Sequence, residues 1–369
     1  MARIPAETRH RQVGASTPSA PRPIVRDFSG AGSRADVTFE PRTCYDFMVS
    51  MNVAAGSDSD LLPEDAAWLK RAMEKLPSGI ELDACFHGDA AAAFGALPGM
   101  AVARPDVADA GAFTTMLRDR GLESLTHQLL SDILRYSDAE ALTDRIMDGD
   151  TEALAEAEGN FDESKTEIVT FLHGPRQAVE RMLSVVEAWL PLYQEIEPRV
   201  AQMIHRDVAN RRTDRETLDQ ATLIERTTGG LRWLPESQVR RVIMAPSYFA
   251  RPFNYIYQGA DWRLFAYPIA DAVLGTADAG TPPQAVVRLY RALGDSTRMR
   301  ILKLLSDRDW YLTELAQQLE LSKPTMKHHL ALLRAAGLVT VIEEGSLTYY
   351  NLRRERLEEA GTELHSFLG

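Results

Sequence analysis

The side chains best placed to do chemistry lie near the C-terminus, in the run Ser322-Lys323-Pro324-Thr325-Met326-Lys327-His328-His329. At about 100° per residue, Met326, Leu330 and Leu333 share one side of a helix, while Pro324, Thr325, Lys327, His328 and Ala331 face largely the other way. Small and polar groups on an outer face, next to a helix N-terminus, suit a helix that enters a major groove. A second cluster is CFHGD, with Cys85, His87 and Asp89. Its spacing matches no metal site of defined geometry, so it reads as a buried Cys beside a loop His, and no metal is expected. Arg240, Arg241, Arg251 and Arg263 could bind an anion or line the outer face of a sheet. There is no Gly-x-Ser-x-Gly elbow, no phosphate loop ending in Gly-Lys-Ser/Thr, no His-Glu-x-x-His and no dinucleotide fingerprint. No catalytic residue is therefore assigned and no cofactor is expected, although Asp, Glu and His side chains of a helical domain could assemble a site that only a fold reveals.

The elements that must position these groups divide the chain. Residues 1–35 are rich in Pro, Ser, Gly, Ala and Arg without apolar period, and read as a disordered tail. From 36 to about 225 the pattern is helical: Leu62, Ala66, Leu69, Met73 and Leu76 follow one face, as do Leu122, Leu125, Leu129, Ile133 and Tyr136. Two further helices run from Val179, Met182, Val186 and Trp189, with Pro175 in the first turn, and from Ile196, Val200, Met203 and Ile204. Residues 231–270 then carry nine of the 28 aromatics. FNYIYQ, the turn Gly259-Ala260-Asp261 and WRLFAYPI predict a hairpin, with VRRVIMA as a further strand. The aromatics belong either to an ordinary core or to a ligand pocket. A linker at 276–283 separates residues 36–275 from a module at 284–369.

That module has four helical segments and a hairpin. Val286 to Leu293 is the first helix; Asp295 caps the second, which carries Met299, Ile301, Leu302 and Leu305; Thr313 caps a third over Glu314 to Leu319; Ser322 caps the fourth, at 322–336. VTVIEE, Gly345 and LTYYNL form a wing. The expected fold class is mainly α with α+β parts: a helical N-terminal domain with an aromatic-rich β-hairpin segment, then a winged helix-turn-helix.

Charge constrains the reading. The chain has 41 Lys+Arg against 53 Asp+Glu, a formal net charge of -12, which by itself argues against nucleic acid as a partner. The acidity belongs to the front, however, because residues 283–369 hold 12 basic and 11 acidic side chains. The absence of 18 consecutive apolar residues and of a signal-peptide pattern predicts a cytoplasmic protein with no membrane contact. Two Cys far apart fit a reducing compartment.

LYRALGDSTRMRILKLL and LAQQLELSKPTMKHHLALLRAAGLV resemble the opening helices, positioning helix and recognition helix of the ArsR-type winged helix-turn-helix regulators. The resemblance covers about 85 residues, and the front portion resembles the large N-terminal extension that some such regulators carry, without a motif that fixes the assignment. It implies that Ser322, Lys323, Pro324, Thr325, Lys327 and His328 lie at a DNA surface, Lys323 and Lys327 meeting phosphates and Thr325 and His328 reaching phosphates or base edges. His329 falls nearer the Met326 side. Arg298 either ties helices together or binds phosphate. Glu343-Glu344 departs from the basic wings common in the family and would oppose phosphates, so either the wing tip, with Thr348 and Tyr350, stays away from DNA or affinity is modest and strongly salt-dependent. In the family the first and last helices pair across a two-fold axis, and here Leu357, Ala360, Leu364 and Phe367 form a stripe on the last helix. The metal ligands of many members have no counterpart: DWYLTEL lacks Cys, and the last helix offers only His365 with Glu363 and Glu359.

The expectation is thus a homodimeric repressor binding a pseudo-palindromic double-stranded operator, modulated by a front domain that senses an unidentified small molecule, dimerises or contacts another protein. Two rivals differ in class. One is an enzyme or binding domain carrying an accessory winged helix. The other, motivated by the acidic wing and the net charge, is an interaction adaptor that has lost DNA binding, which a Lys323 and Lys327 face blocked by the front domain would support.

Overall fold

The computed structural model describes residues 35–56, 61–86, 94–134, 138–161, 166–251, 253–274, 282–344 and 347–369. The expected tail at 1–35 except Ala35, most of the expected linker, Tyr136, His87, Asp89 and the Gly345 turn lie outside them. The fold is mainly helical with β parts, as the residue patterns predict, and its strands form two four-stranded sheets.

The front helices are α1 (Thr43–Ala54), α2 (Pro63–Lys75), α3 (Asp83–Phe86), α4 (Leu97–Val102), α5 (Ala110–Arg120), α6 (Leu122–Leu134), α7 (Ala139–Met147), α8 (Thr151–Glu158), α9 (Thr166–His173), α10 (Pro175–Gln194), α11 (Glu197–Asn210), α12 (Arg212–Thr217) and α13 (Gln220–Thr227). Pro175 occupies the first turn of α10, where its missing N–H costs nothing. α10 packs on α1, α5 and α6 and buries Val179, Met182, Val186 and Trp189 completely. Each such side chain contributes about 1.5–3 kcal/mol of transfer free energy.

The face of α2 is a correction. Ala66 and Met73 of the expected stripe are exposed, and the helix instead buries Asp65, Trp68 and Ala72. Trp68 is gripped between Trp189 and Phe249, both with ring centroids at 5.9 Å. One large aromatic surface outweighs the Leu and Met stripe, whose Leu69 and Leu76 remain at the core's margin.

The first sheet has the order β1-β3-β5-β4, from β1 (Asp36–Phe39), β3 (Arg241–Ser247), β4 (Tyr255–Gln258) and β5 (Trp262–Pro268). β4 and β5 form the expected antiparallel hairpin. β3 lies parallel to β5. β1, within the stretch expected to be helical, pairs parallel to β3; four residues are too few to show a period of two convincingly.

Three buried aspartates fasten helices to the ends of the parallel strands. On α1, Asp46 accepts from Ser247 Oγ at 2.5 Å, Tyr193 OH at 2.8 Å and the Phe249 N–H at 3.1 Å. On α2, Asp65 accepts from Tyr248 OH and Arg199. On α11, Asp207 accepts from Tyr267 OH at 2.8 Å, the Ala270 N–H at 2.7 Å and Arg211 Nε at 2.7 Å. Buried carboxylates are tolerated only when satisfied in this way.

The C-terminal module comprises α14 (Gln284–Leu293), α15 (Ser296–Leu305), β6 (Trp310–Tyr311), α16 (Leu312–Gln318), α17 (Lys323–Ala335), β7 (Val339–Glu344), β8 (Leu347–Leu352) and α18 (Arg354–Leu368). Asp295 caps α15 by accepting from the Arg298 N–H at 2.8 Å. α16 begins before Thr313, since Glu314 reaches back to the Tyr311 N–H at 3.1 Å and holds the first turn there. The second sheet has the order β2-β7-β8-β6. Its outer member, β2 (Leu231–Trp233), comes from the aromatic segment and runs parallel to β7, Leu231 opposite Val341 and Trp233 opposite Glu343.

Truncating Asp46→Ala is expected to destabilise the chain by about 2–5 kcal/mol in urea unfolding, because three donors lose their acceptor. Burial pushes the Asp46 carboxyl above its ordinary 3.8 against the pull of its three donors. The native state therefore keeps this proton to higher pH than the unfolded chain, and the contribution fades as pH rises from about 4. Asp46→Asn should remove that part of the decline, read as the difference between the two pH profiles of stability.

Candidate nucleic-acid interface

The recognition element is built from its cap inward. Ser322 Oγ accepts from the Thr325 N–H at 3.2 Å and lies 2.7 Å from Thr325 Oγ1. Pro324 occupies the first turn, pre-set for helix. Met326, Leu330 and Leu333 are buried among Leu289, Ile301, Leu302, Leu315 and Leu319, so the rotation of α17 is fixed by its core face. Before it, the link from α16 carries Glu320 at φ 57, and the Leu321 N–H closes the turn on Ala316 O at 2.9 Å.

That rotation leaves Ser322, Lys323, Pro324, Thr325 and Lys327 exposed, while His328 is half-buried and its ring lies 5.8 Å from that of His329. Among the described residues nothing of the front domain covers Lys323 or Lys327, so the blocked face that would support the adaptor rival is not seen there. His329 is half-buried, with Nδ1 enclosed and without a hydrogen-bond partner among the described residues; burial lowers its pKa below 6.5. Arg298 donates to Ala292 O at 2.9 Å and Arg291 O at 2.7 Å. It thus ties the end of α14 to α15.

The remaining cluster candidates are inert. Burial pushes the Cys44 thiol up to about 12 and the Cys85 thiol to about 11, so neither is a thiolate near neutral pH. Among the described residues no three His, Cys, Asp or Glu side chains come together to hold a metal ion, and no helix is long and apolar enough to cross a membrane. Of the four arginines near the aromatics, Arg251 pairs with Asp271 at 2.5 Å and Arg263 with Glu236.

One part of the site was not foreseen. β2 attaches the front domain directly to the wing, and its side chains Leu231 and Trp233 pack with Ile224, Val239, Val242, Met244, Phe265 and Tyr267 of the front domain. The signal was Gly229-Gly230: Gly230 sits at φ 112, and a Cβ there would press on Thr340 Cγ2 and Val339 O, both at 3.4 Å. Its carbonyl accepts from the Val341 N–H at 2.9 Å.

Comparison with known proteins assigns this module. A helix-turn-helix domain family matches residues 293–342. The HTH-type transcriptional regulator KmtR of Mycobacterium tuberculosis is 36% identical over 89 residues, 22% of this chain and 68% of that protein. The transcriptional repressor SdpR of Bacillus subtilis is 32% identical over 72 residues, 20% of this chain and 80% of that protein. The regulator CmtR of Mycobacterium tuberculosis is 42% identical over 80 residues, 22% and 68% respectively. Through its C-terminal module the chain belongs to the ArsR-type winged helix-turn-helix regulators, and it is a DNA-binding transcriptional regulator. The front of the chain, about three-quarters of its length, lies outside these matches.

Removing the cap by Ser322→Ala should cost about 1 kcal/mol in chemical denaturation while leaving both exposed lysines in place.

Proposed function

We propose that the protein is a homodimeric repressor working in the cytoplasm, that α17 reads a pseudo-palindromic operator in the major groove, and that residues 36–275 form a sensing domain, without catalytic activity, that modulates the module at 284–369. The observation that carries this is the orientation of α17: Met326, Leu330 and Leu333 are buried and Lys323, Pro324, Thr325 and Lys327 are exposed on the opposite side. In this reading Lys323 and Lys327 meet phosphates, Ser322 and Pro324 set the helix N-terminus against the backbone, and Thr325 and His328 reach phosphates or base edges. The kinship with SdpR, described as a transcriptional repressor, supports the sign of regulation. The dimer reading is supported by apolar surface on the terminal helices of the module: Tyr290 and Leu357 are each 38% exposed and Leu368 71%. Two recognition helices related by a two-fold axis would bind half-sites about one helical turn apart.

Selection of bound fragments from the source genome should enrich a two-fold symmetric sequence with the full chain and lose it with Lys327→Ala plus His328→Ala. No enrichment by the wild-type chain at moderate salt would refute operator binding. Leu357→Glu plus Leu364→Glu should halve the mass measured by sedimentation equilibrium and weaken operator binding at least tenfold, roughly the loss of one half-site's cooperation. A wild-type chain that is monomeric at operator-binding concentrations would refute the dimer.

A further inference from the structure

The front domain contains a cleft of about 760 Å³ between α4, the end of α5, α6 and the β4–β5 turn. We propose that this cleft binds a small planar carboxylate, stacked on the Trp262 indole and held by Arg120, and that occupancy is transmitted to the wing through Arg263, Glu236 and Trp233. The proposal rests on the reading of the front domain as the sensing part of a regulator, and it names the site and the class of ligand.

Three features define the ligand. Volume comes first: a few hundred to about a thousand cubic ångströms is the usual range for small-molecule sites. The second is the indole of Trp262. A Cβ on Gly99 of α4 would come within 3.0 Å of its ring, and one on Gly259 would collide with its Nε1. Glycine at 259 is required for the ring to lie where it does and glycine at 99 leaves it room, so the ring is part-buried and lines the cleft, a flat surface suited to a planar group. The third is charge. The charged side chains lining the cleft are Arg120, Arg263 and Asp132. Arg263 is neutralised by Glu236 and Asp132 is engaged by Gln128 at 3.3 Å. Arg120, exposed at the end of α5, has no hydrogen bond or ion pair among the described residues. A guanidinium fork of this kind matches a carboxylate, and Gln258 and Ser131 in the same walls can hydrogen-bond polar substituents.

The connection to the wing is a chain of direct contacts. Arg263, on β5, donates through Nε to Glu236 Oε1 at 2.8 Å and through Nη2 to Glu236 Oε2, and its Nη1 is anchored on Gly259 O and Trp262 O, each at 2.8 Å. Glu236 also accepts from Gln238 Nε2 at 2.9 Å and, more weakly, from the Trp233 indole N–H at 3.4 Å. Trp233 belongs to β2, whose backbone pairs with β7. A ligand stacked on Trp262 bears on the Gly259 and Trp262 carbonyls that hold Arg263 Nη1; a shift there weakens the Arg263 pair with Glu236 and loosens the loop that holds β2 on the wing. A ligand shifts an equilibrium only through such a difference in its contacts between two states.

The test uses the full chain with naphthoate as probe, naphthamide as its uncharged twin and inorganic phosphate as an anion without a ring. In calorimetry naphthoate should bind at one site about tenfold or more tighter than naphthamide or phosphate, and Arg120→Gln should bring it down to the level of the amide. Ser131→Trp, which narrows the cleft while keeping the Arg120 side chain, should abolish binding of both aromatic probes. Bound naphthoate should speed deuterium uptake by the backbone of residues 339–344, and Glu236→Gln should show fast uptake with or without probe. Equal binding of the acid and the amide, of phosphate and naphthoate, or of wild type and Arg120→Gln overturns the site; tight binding with unchanged uptake overturns the connection to the wing. Operator selection on the same preparations separates this from the regulator reading. A chain that selects its sequence but ignores naphthoate disproves the site alone, and one that binds naphthoate but selects no DNA disproves the regulator alone.

Discussion

Strand β2 places its side chains in the front domain and its backbone in the sheet of the wing, and the joining of the two halves of the chain turns on that division. Leu231 is fully buried and Trp233 nearly so, both among residues of the first sheet, while the same three residues complete the second sheet beside β7. Neither half can withdraw without either exposing an indole and a leucine or opening a row of backbone hydrogen bonds. A further tie supports it: Arg288 on α14 reaches Asp271, which also holds Arg251. The winged helix is therefore not a bead on a string. It is built into the front domain along one edge.

The front domain is stiffened where that edge begins. Asp46, Asp65 and Asp207 come from three different helices, and all bind at the ends of β3 and β5, through Ser247, Tyr248, Phe249, Tyr267 and Ala270. Apolar packing alone leaves helices free to slide on a sheet. Directional hydrogen bonds to buried carboxylates do not, because a small displacement leaves a desolvated acceptor unpaired. The β5 strand so anchored carries Arg263 at its other end, close to Glu236 and the β2 connection. Rigidity at one end of a strand and a polar cluster at the other is an arrangement that can convey small shifts rather than absorb them.

The C-terminal module was legible in the sequence because each local signal agreed with the others. Asp295 and Ser322 are both side-chain caps at the positions their types and surroundings indicate, and the apolar spacing of Met326, Leu330 and Leu333 places the exposed face of α17 correctly. The hairpin β4–β5 was equally plain from its aromatic strands and glycine turn. What could not be read were features set by distant partners. The buried face of α2 follows Trp68 because Trp189 and Phe249 wait on the other side, more than a hundred residues away. The three aspartates look like ordinary surface acids until their partners on the sheet are known. β2 is three residues long and its partner strand lies beyond the linker, so only the glycine pair before it hinted at close approach. Of the candidate interface, the exposed faces were visible from periodicity, whereas the half-burial of His328 and the enclosed Nδ1 of His329 depend on packing between α15 and α17.

The same edge strand carries a practical consequence. In the sequence, the stretch before Gln284 resembles a natural place to cut the protein in two, and a fragment beginning there holds all five helices and the hairpin of the module. It lacks Leu231 to Trp233, however, and β7 would then present an open row of N–H and C=O groups along a strand whose Val339 and Val341 are almost wholly buried in the intact chain. Bare edges of that kind recruit strands from other molecules. The severed half would be prone to self-association through its wing, and the front half, with the β2 backbone left without its partner strand, would have an open edge of its own.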